Sequence, residues 1–349
     1  MDDIPGRDPV AAYYGEEIRT AADLKTGVCS CREPVSAAHR AILATIDSEI
    51  LDRFYGCGSP IPPAIEGATV LDLGCGCGRD VFLLSKLVGP QGRVIGVDLL
   101  QSQLDIGERH RDEQARRFGH PRSNVEFRRG RIEDLAAIGL ADASIDVVVS
   151  NCVINLSRDK DAIFREVRRV LKPGGEFLFA DVFADRRLPE AMRRDAVLIG
   201  ECLGGALYTE DFRRAMEKAG FADHRVVSTM RSEIGDADIA ERIGNVVFSS
   251  STVRAFKLDD LEDRCEDYGQ VAIYRGTLPD HPRGFALDDH HRFETGRPML
   301  VCGNTAAMVS QTRYAPHFRL IGDRSVHFGA FDCGGPAREE RGGEGACCC

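Results

Sequence analysis

One run of eleven residues limits the folds open to this chain more than any other: Val70-Leu71-Asp72-Leu73-Gly74-Cys75-Gly76-Cys77-Gly78-Arg79-Asp80. Glycines at alternate positions are costly inside a helix or strand, so Gly74, Gly76 and Gly78 mark a tight turn. A short apolar strand, ATVLDL, enters the turn, and an amphipathic helix, RDVFLLSKLV, leaves it. In an open α/β sheet, such a turn lies where ligands bind, beyond the carboxyl ends of the strands. The dinucleotide fingerprint G-x-G-x-x-G is not met, because the loop reads G-x-G-x-G and is followed by Arg79; NAD is disfavoured. Asp98 closes the next strand, 20 residues after Gly78, where a carboxylate can accept from both ribose hydroxyls.

Strand and helix patterns alternate from there. GRVIGVDLL reads as a strand, Gln101 to Phe118 as a helix, and NVEFRRG and SIDVVVSN as strands. Asp159 opens a helix that Pro173-Gly174-Gly175 stops, and GEFLFADVF is a fifth strand. This order predicts a doubly wound α/β fold, its parallel sheet covered on both faces by right-handed crossovers. Upstream, Ser36 to Tyr55 has helical spacing with Ser36 as N-cap, and Pro60, Pro62 and Pro63 break the chain. Residues 189–220 read as helices interrupted by GECLGGALY at 200–208. Beyond about 226 the alternation stops. DYGQVAIYRG and HRFETGRPMLVCG look like antiparallel strands, the second with a Thr295-Gly296 turn. The predicted organisation is an N-terminal extension (1–65), a ligand-binding α/β domain (66–225), a smaller α+β domain (226–330) and a Gly- and charge-rich tail (331–349).

Composition excludes several classes. Lys and Arg number 45 against 55 Asp and Glu, a net charge of −10, which argues against nonspecific nucleic-acid binding. No apolar run reaches the ~18 residues of a spanning helix. The acidic, polar start MDDIPGRDPVAAYYGEE lacks the marks of a secretory signal, so a reducing, cytoplasmic setting and no membrane partner are expected. Thirteen cysteines in such a setting suggest soft-ligand or redox chemistry more than cross-links.

The segments DLGCGCG at 72–78, Asp98, GRIEDL at 130–135 and LKPGG at 171–175 resemble a class I S-adenosylmethionine-dependent methyltransferase over about residues 66–225. The resemblance implies a Rossmann-like fold with S-adenosylmethionine as methyl donor. Asp72 and Gly74 would line the methionine end, Asp98 the ribose, and Ile132 and Glu133 the adenine. Asn151 would stand near the donor methyl, with Gly76, Gly78 and Gln103 completing the donor site. Cys75 and Cys77 occupy loop positions where small residues are common and are read as steric choices.

Fold alone does not name a substrate. Cys57 in FYGCGSP, Cys152 in SNCVINL at the end of strand four, and Cys202 in GECLGGALY could converge beside one methyl donor, and three thiolates suit a thiophilic centre. With YYG at 13–15 and DLKTGVCSC at 23–31, these motifs resemble the arsenite methyltransferases over about residues 13–322. The resemblance implies that Cys57, Cys152 and Cys202 hold trivalent arsenic, with Cys29 or Cys31 as a redox partner. Arsenic held by three thiolates keeps a lone pair that attacks the sulfonium methyl without a general base. Methyl transfer oxidises arsenic to the pentavalent state. A cysteine pair, Cys57 with Cys29 or Cys31, would supply two electrons by becoming a disulfide. Thioredoxin or glutathione would then reduce it, the substrate being arsenite or its thiol conjugates.

Two other readings are open: a quinone or sterol C-methyltransferase, and a non-enzymatic thiol-rich protein that sequesters metalloids. No metal cofactor is expected, since C-x-C at Cys29 and Cys31 with Cys57 departs from zinc spacing. Cys265, Cys302 and Cys333 carry no pattern and receive no role. Asp288-Asp289-His290-His291 reads as a solvated loop. The terminal Cys347-Cys348-Cys349 is not a C-a-a-X signal, because Ala346 stands where the cysteine is required. That tail is expected to be dispensable for catalysis.

Overall fold

The computed structural model describes Thr26 and residues 35–333. Cys29, Cys31 and the terminal three cysteines lie outside the described residues. Ser36 caps α1 (Ala37–Leu43), its hydroxyl accepting from the His39 amide at 3.0 Å. The single helix expected over Ser36 to Tyr55 is instead two, the second being α2 (Ser48–Leu51). Polar side chains offer the backbone other partners here: Thr45 Oγ1 donates to Ile42 O at 2.6 Å, and Asp47 caps the restart by accepting from Glu49 N at 3.1 Å.

The central unit follows the predicted alternation: β1 (Thr69–Leu73), α3 (Arg79–Val88), β2 (Arg93–Asp98), α4 (Gln101–Phe118), β3 (Val125–Arg129), β4 (Ile145–Asn151), α5 (Lys160–Val170) and β5 (Leu171–Ala184). Then come α6 (Glu190–Arg194), α7 (Ala196–Gly200), β6 (Leu207–Tyr208), α8 (Thr209–Lys218), β7 (His224–Arg231), α9 (Ala237–Ile243) and β8 (Phe248–Phe256). Among the described residues the strands form one sheet in the order β3-β2-β1-β4-β5-β8-β7, with β6 beside β5. Leu71, Val148 and Phe177 pack on one face, and Val70, Val94 and Val147 on the other. This two-sided burial is why the inner strands read as continuous apolar runs.

Two expectations are corrected. The sheet is mixed: β8 runs antiparallel to β5 from Glu176–Phe256 to Ala184–Phe248, and β7 antiparallel to β8. The sheet also continues past residue 225 to Phe256. The edge strand β7 is mostly half-exposed, so HRVVSTMR lacks the apolar run that marks the inner strands.

A second unit follows: β9 (Glu266–Asp267), β10 (Gln270–Tyr274), β11 (Gly284–Ala286), β12 (Arg292–Glu294), β13 (Pro298–Val301), α10 (Gly303–Ser310), β14 (Phe318–Ile321) and β15 (Gly329–Ala330). Its core gathers Tyr274, Phe285, Phe293, Tyr314 and Phe318. β12 and β13 flank the Thr295-Gly296 turn but pair with β11 and β10 respectively, so the turn hands the chain between two small sheets. The 288–291 loop is not simply solvated. His291 and Asp288 are buried, joined at 2.8 Å, and Asp288 also meets Arg225 at 3.3 Å.

Glu176, fully buried in β5, joins the two units. Its carboxylate accepts from Arg254 Nε at 2.5 Å and Tyr314 Oη at 3.1 Å, and it pairs with Arg313. Burial opposes its charge, yet the Arg254 and Arg313 guanidiniums hold the carboxyl below the usual glutamate range. No helix among the described residues is long and apolar enough to cross a membrane.

Candidate active site

The glycine loop closes over the carboxyl end of β1. Gly74 has φ +69°, and a Cβ there would come within 2.4 Å of the Val153 side chain, so only glycine fits. Gly78 caps α3, again in the left-handed region. Asp98 holds the loop, its carboxylate accepting from Gly76 N at 2.9 Å and Leu100 N at 2.8 Å. Asp72 is buried in β1, and burial, then Asp80 and Asp98 nearby, push its carboxyl well up. Crowded acids of this kind are relieved by a cationic ligand, which suits a donor carrying sulfonium and ammonium charges. Gln103 is buried with Oε1 lacking a hydrogen-bond partner, a polar atom left for a ligand to satisfy. Ile132 is buried, and Glu133 accepts from Ser157 Oγ at 2.5 Å. Burial raises the Cys75 thiol and pushes Cys77 up to about 12, so both stay protonated.

Asn151 uses its whole amide on the loop around Cys57 and on α3. Its Oδ1 accepts from Cys57 N at 3.1 Å and Gly58 N at 3.3 Å, while Nδ2 donates to Gly58 O at 2.9 Å and Asp80 Oδ2 at 3.1 Å. It thereby ties the Cys57 loop to both β4 and α3.

Cys57, Cys152 and Cys202 come together from three distant segments. Cys152 follows β4 directly, and Cys202 lies just after α7. Both have left-handed backbones, φ +57° and +61°, a conformation costing a non-glycine residue roughly 1–2 kcal/mol. Strain of this kind collects where a side chain must be aimed. Cys202 Sγ donates to Cys152 O at 3.3 Å. Gly205 lets this loop press on the turn at 154–156, since a Cβ there would sit 1.8 Å from Asn155 O. Cys57 and Cys152 form a disulfide with Cα atoms 5.8 Å apart. The redox pairing expected from sequence joined Cys57 to Cys29 or Cys31; in the structure its bonded partner is Cys152.

Sequence reading missed several contributors. Asp181 on β5 has a carboxylate oxygen within 4.8 Å of the Cys57 and Cys152 sulfurs. Burial pushes its carboxyl up to about 6. A lone acid inside the apolar run FLFADVF was the available signal. Asn155 Nδ2 donates to Cys202 O at 3.4 Å, and Ser250 Oγ to Cys57 O at 2.7 Å. Glu201, beside Cys202, accepts from Thr26 N at 2.9 Å and Thr26 Oγ1 at 2.6 Å. Thr26 is thus tied to the residue that precedes Cys202.

Comparison with known proteins bears on the substrate. Residues 65–220 match a family described as a methyltransferase domain, and residues 267–333 one described as the arsenite methyltransferase C-terminal domain. An arsenite methyltransferase of Aquipseudomonas alcaligenes is 51% identical over 329 residues, 94% of each chain. The chain belongs to the arsenite methyltransferase family. The human arsenite methyltransferase is 39% identical over 320 residues, covering 90% of this chain and 84% of that one. The crystal structure of an arsenic(III) S-adenosylmethionine methyltransferase from Chlamydomonas reinhardtii matches with a TM-score of 0.84 and 51% identity, over 86% of this chain and all of that one. For this family member, the likeness includes the unit after the sheet, where the fold prediction rested on weak strand signals.

Proposed function

We propose that this chain is an S-adenosylmethionine-dependent arsenite methyltransferase in which Cys57, Cys152 and Cys202 carry trivalent arsenic. The observation behind this reading is the convergence of three cysteines, two on strained backbone, at the carboxyl ends of the central strands beside the glycine loop. The test is to incubate reduced protein with arsenite, S-adenosylmethionine and a thiol, then speciate the arsenic. Methylated arsenicals are expected. Stoichiometric binding without product would favour sequestration, and no binding would leave the lipid methyltransferase reading.

S-adenosylmethionine supplies an electrophilic methyl group when bound. Asp72, Gly74, Gly76 and Gly78 hold its methionine end, Asp98 the ribose, and Gln103, Ile132 and Glu133 the remaining surface. The cysteines hold pyramidal arsenic with its lone pair turned from the sulfurs, and the surrounding burial excludes water. Asp98→Ala is expected to weaken donor binding ~10- to 100-fold, the loss of charge-assisted hydrogen bonds. Arsenic affinity of the donor-free protein should not change. Unchanged donor affinity in calorimetry would remove Asp98 from the site.

With Cys57 and Cys152 disulfide-bonded, only Cys202 of the three remains a thiol. An external thiol, thioredoxin or glutathione, must therefore deliver two electrons before arsenic binds, which fits a reducing compartment such as the cytoplasm. The N-terminal redox partner in this reading is Cys29 or Cys31.

Cys57→Ser should separate the substrates. Arsenite offers three coordination positions and monomethyl arsenite two. If Cys152 and Cys202 hold the methylated species alone, the variant loses activity on arsenite and keeps it on monomethyl arsenite. Equal loss on both would make Cys57 obligatory for reduction or for the fold.

A further inference from the structure

Cys265, Cys302 and Cys333 are 37 and 31 residues apart in sequence, yet their sulfurs all lie within 4.8 Å of one another. The fold brings them together through its shortest strands. β9 and β15 pair Glu266 with Ala330, and Phe331 N donates to Cys265 O at 2.8 Å, so Cys265 and Cys333 flank one small ladder. Cys302 comes from below as the N-cap of α10, its sulfur accepting from Thr305 N at 3.4 Å. Arg225 Nη2 donates to the same sulfur at 3.8 Å. A helix N-terminus and a guanidinium are the surroundings that favour a thiolate. Arg225 is itself paired with Asp223 at 2.6 Å and Asp288 at 3.3 Å, so no surplus positive charge remains.

We propose that Cys265, Cys302 and Cys333 form a second site for trivalent arsenic, built into the C-terminal unit. The choice of ligand rests on the reading that this protein handles arsenite; the trithiol geometry does not. Binding replaces three As–O bonds by three As–S bonds, and each thiol proton leaves with a hydroxide as water. Arsenic stays trivalent and no electrons move. A structural zinc ion takes four ligands, and the described residues group only three here. The Thr305 hydroxyl stands between the sulfur of Cys302, at 3.3 Å, and His291 Nε2, at 3.4 Å, while His291 Nδ1 is held by Asp288. A trivalent, three-coordinate thiophile matches the donor set. The site is separate from the first. Arg225, which touches Cys302, pairs with Arg254 on β8, whereas Cys57 touches Ser250, four residues (roughly 13 Å) further along that strand. A metalloid store in the same chain raises the supply of substrate without touching the reacting atoms.

The test uses the full-length chain with Cys29, Cys31, Cys57, Cys152, Cys202, Cys347, Cys348 and Cys349 all changed to serine. Reduced with a phosphine and titrated with sodium arsenite, it should bind one arsenic per chain by mass spectrometry, with sulfur-to-arsenic charge-transfer absorption. Adding Cys265→Ser and Cys333→Ser, both only half-buried, should remove that arsenic. No binding, binding that survives the added pair, or displacement of arsenite by equimolar zinc would overturn the proposal. A second measurement holds if the eight-serine chain folds poorly. Cys265→Ser with Cys333→Ser in the otherwise native chain should lose one bound arsenic and keep the maximal rate of methylation. An unchanged arsenic count in that chain would also overturn it. A native chain that yields no methylated product would defeat the proposed function, while the eight-serine count would still decide this site.

Discussion

Cys202→Ser is expected to abolish methylation of both arsenite and monomethyl arsenite, by at least about 10³-fold, equivalent to ~4 kcal/mol at the reacting atom. A hydroxyl is a hard, weakly acidic ligand and does not replace a thiolate on arsenic. Cys152→Ser should behave the same way. Serine is close to cysteine in size and meets the same left-handed backbone cost, so the fold should survive and the loss should be chemical. Single-turnover assays with both arsenicals, run beside thermal melts, check this. Retained turnover in either variant would take that cysteine out of the site.

Glu176→Gln is expected to destabilise the protein by about 3–5 kcal/mol, because it leaves the buried Arg254 and the half-buried Arg313 without their countercharge. Urea unfolding at pH 7 measures it; a change within 1 kcal/mol of zero would mean that Arg254 and Arg313 find other partners. The same residue carries a pH dependence. Its folded pKa is depressed, so its stabilisation is present above the unfolded value of about 4.3 and is lost as pH falls through the folded one. The native chain should lose stability on acidification through that window, and the Gln variant should show a shallower loss.

Sequence legibility followed the range of the interactions. Asp159 as a cap, the helix Arg79–Val88 and the helix Gln101–Phe118 were readable because each rests on contacts a few residues apart. The same holds for the glycine loop, whose strand, turn and helix are continuous. The motifs around Cys152 and Cys202 were legible through their family likeness. Their left-handed backbones were not, since such strain is imposed by distant packing. The antiparallel addition of β8 and β7 left no strong apolar run, because β7 is half-exposed and the mostly buried β8 carries the polar stretch Ser249-Ser250-Ser251-Thr252. The Cys265–Cys302–Cys333 cluster was invisible for another reason. Its ladder is two residues long, too short to leave any period in the sequence.

Asn151 bridges the Cys57 amide and the Asp80 carboxylate beside the glycine loop. A single side chain therefore joins the proposed arsenic site to the proposed donor site. If filling one of the proposed sites moves Asp80, the free energy of filling the other changes too, and thermodynamic linkage makes that change reciprocal. The factor by which donor tightens or loosens arsenic must equal the factor by which arsenic alters the donor. Order of addition then governs how fast the ternary complex assembles, but never how much of it exists at equilibrium.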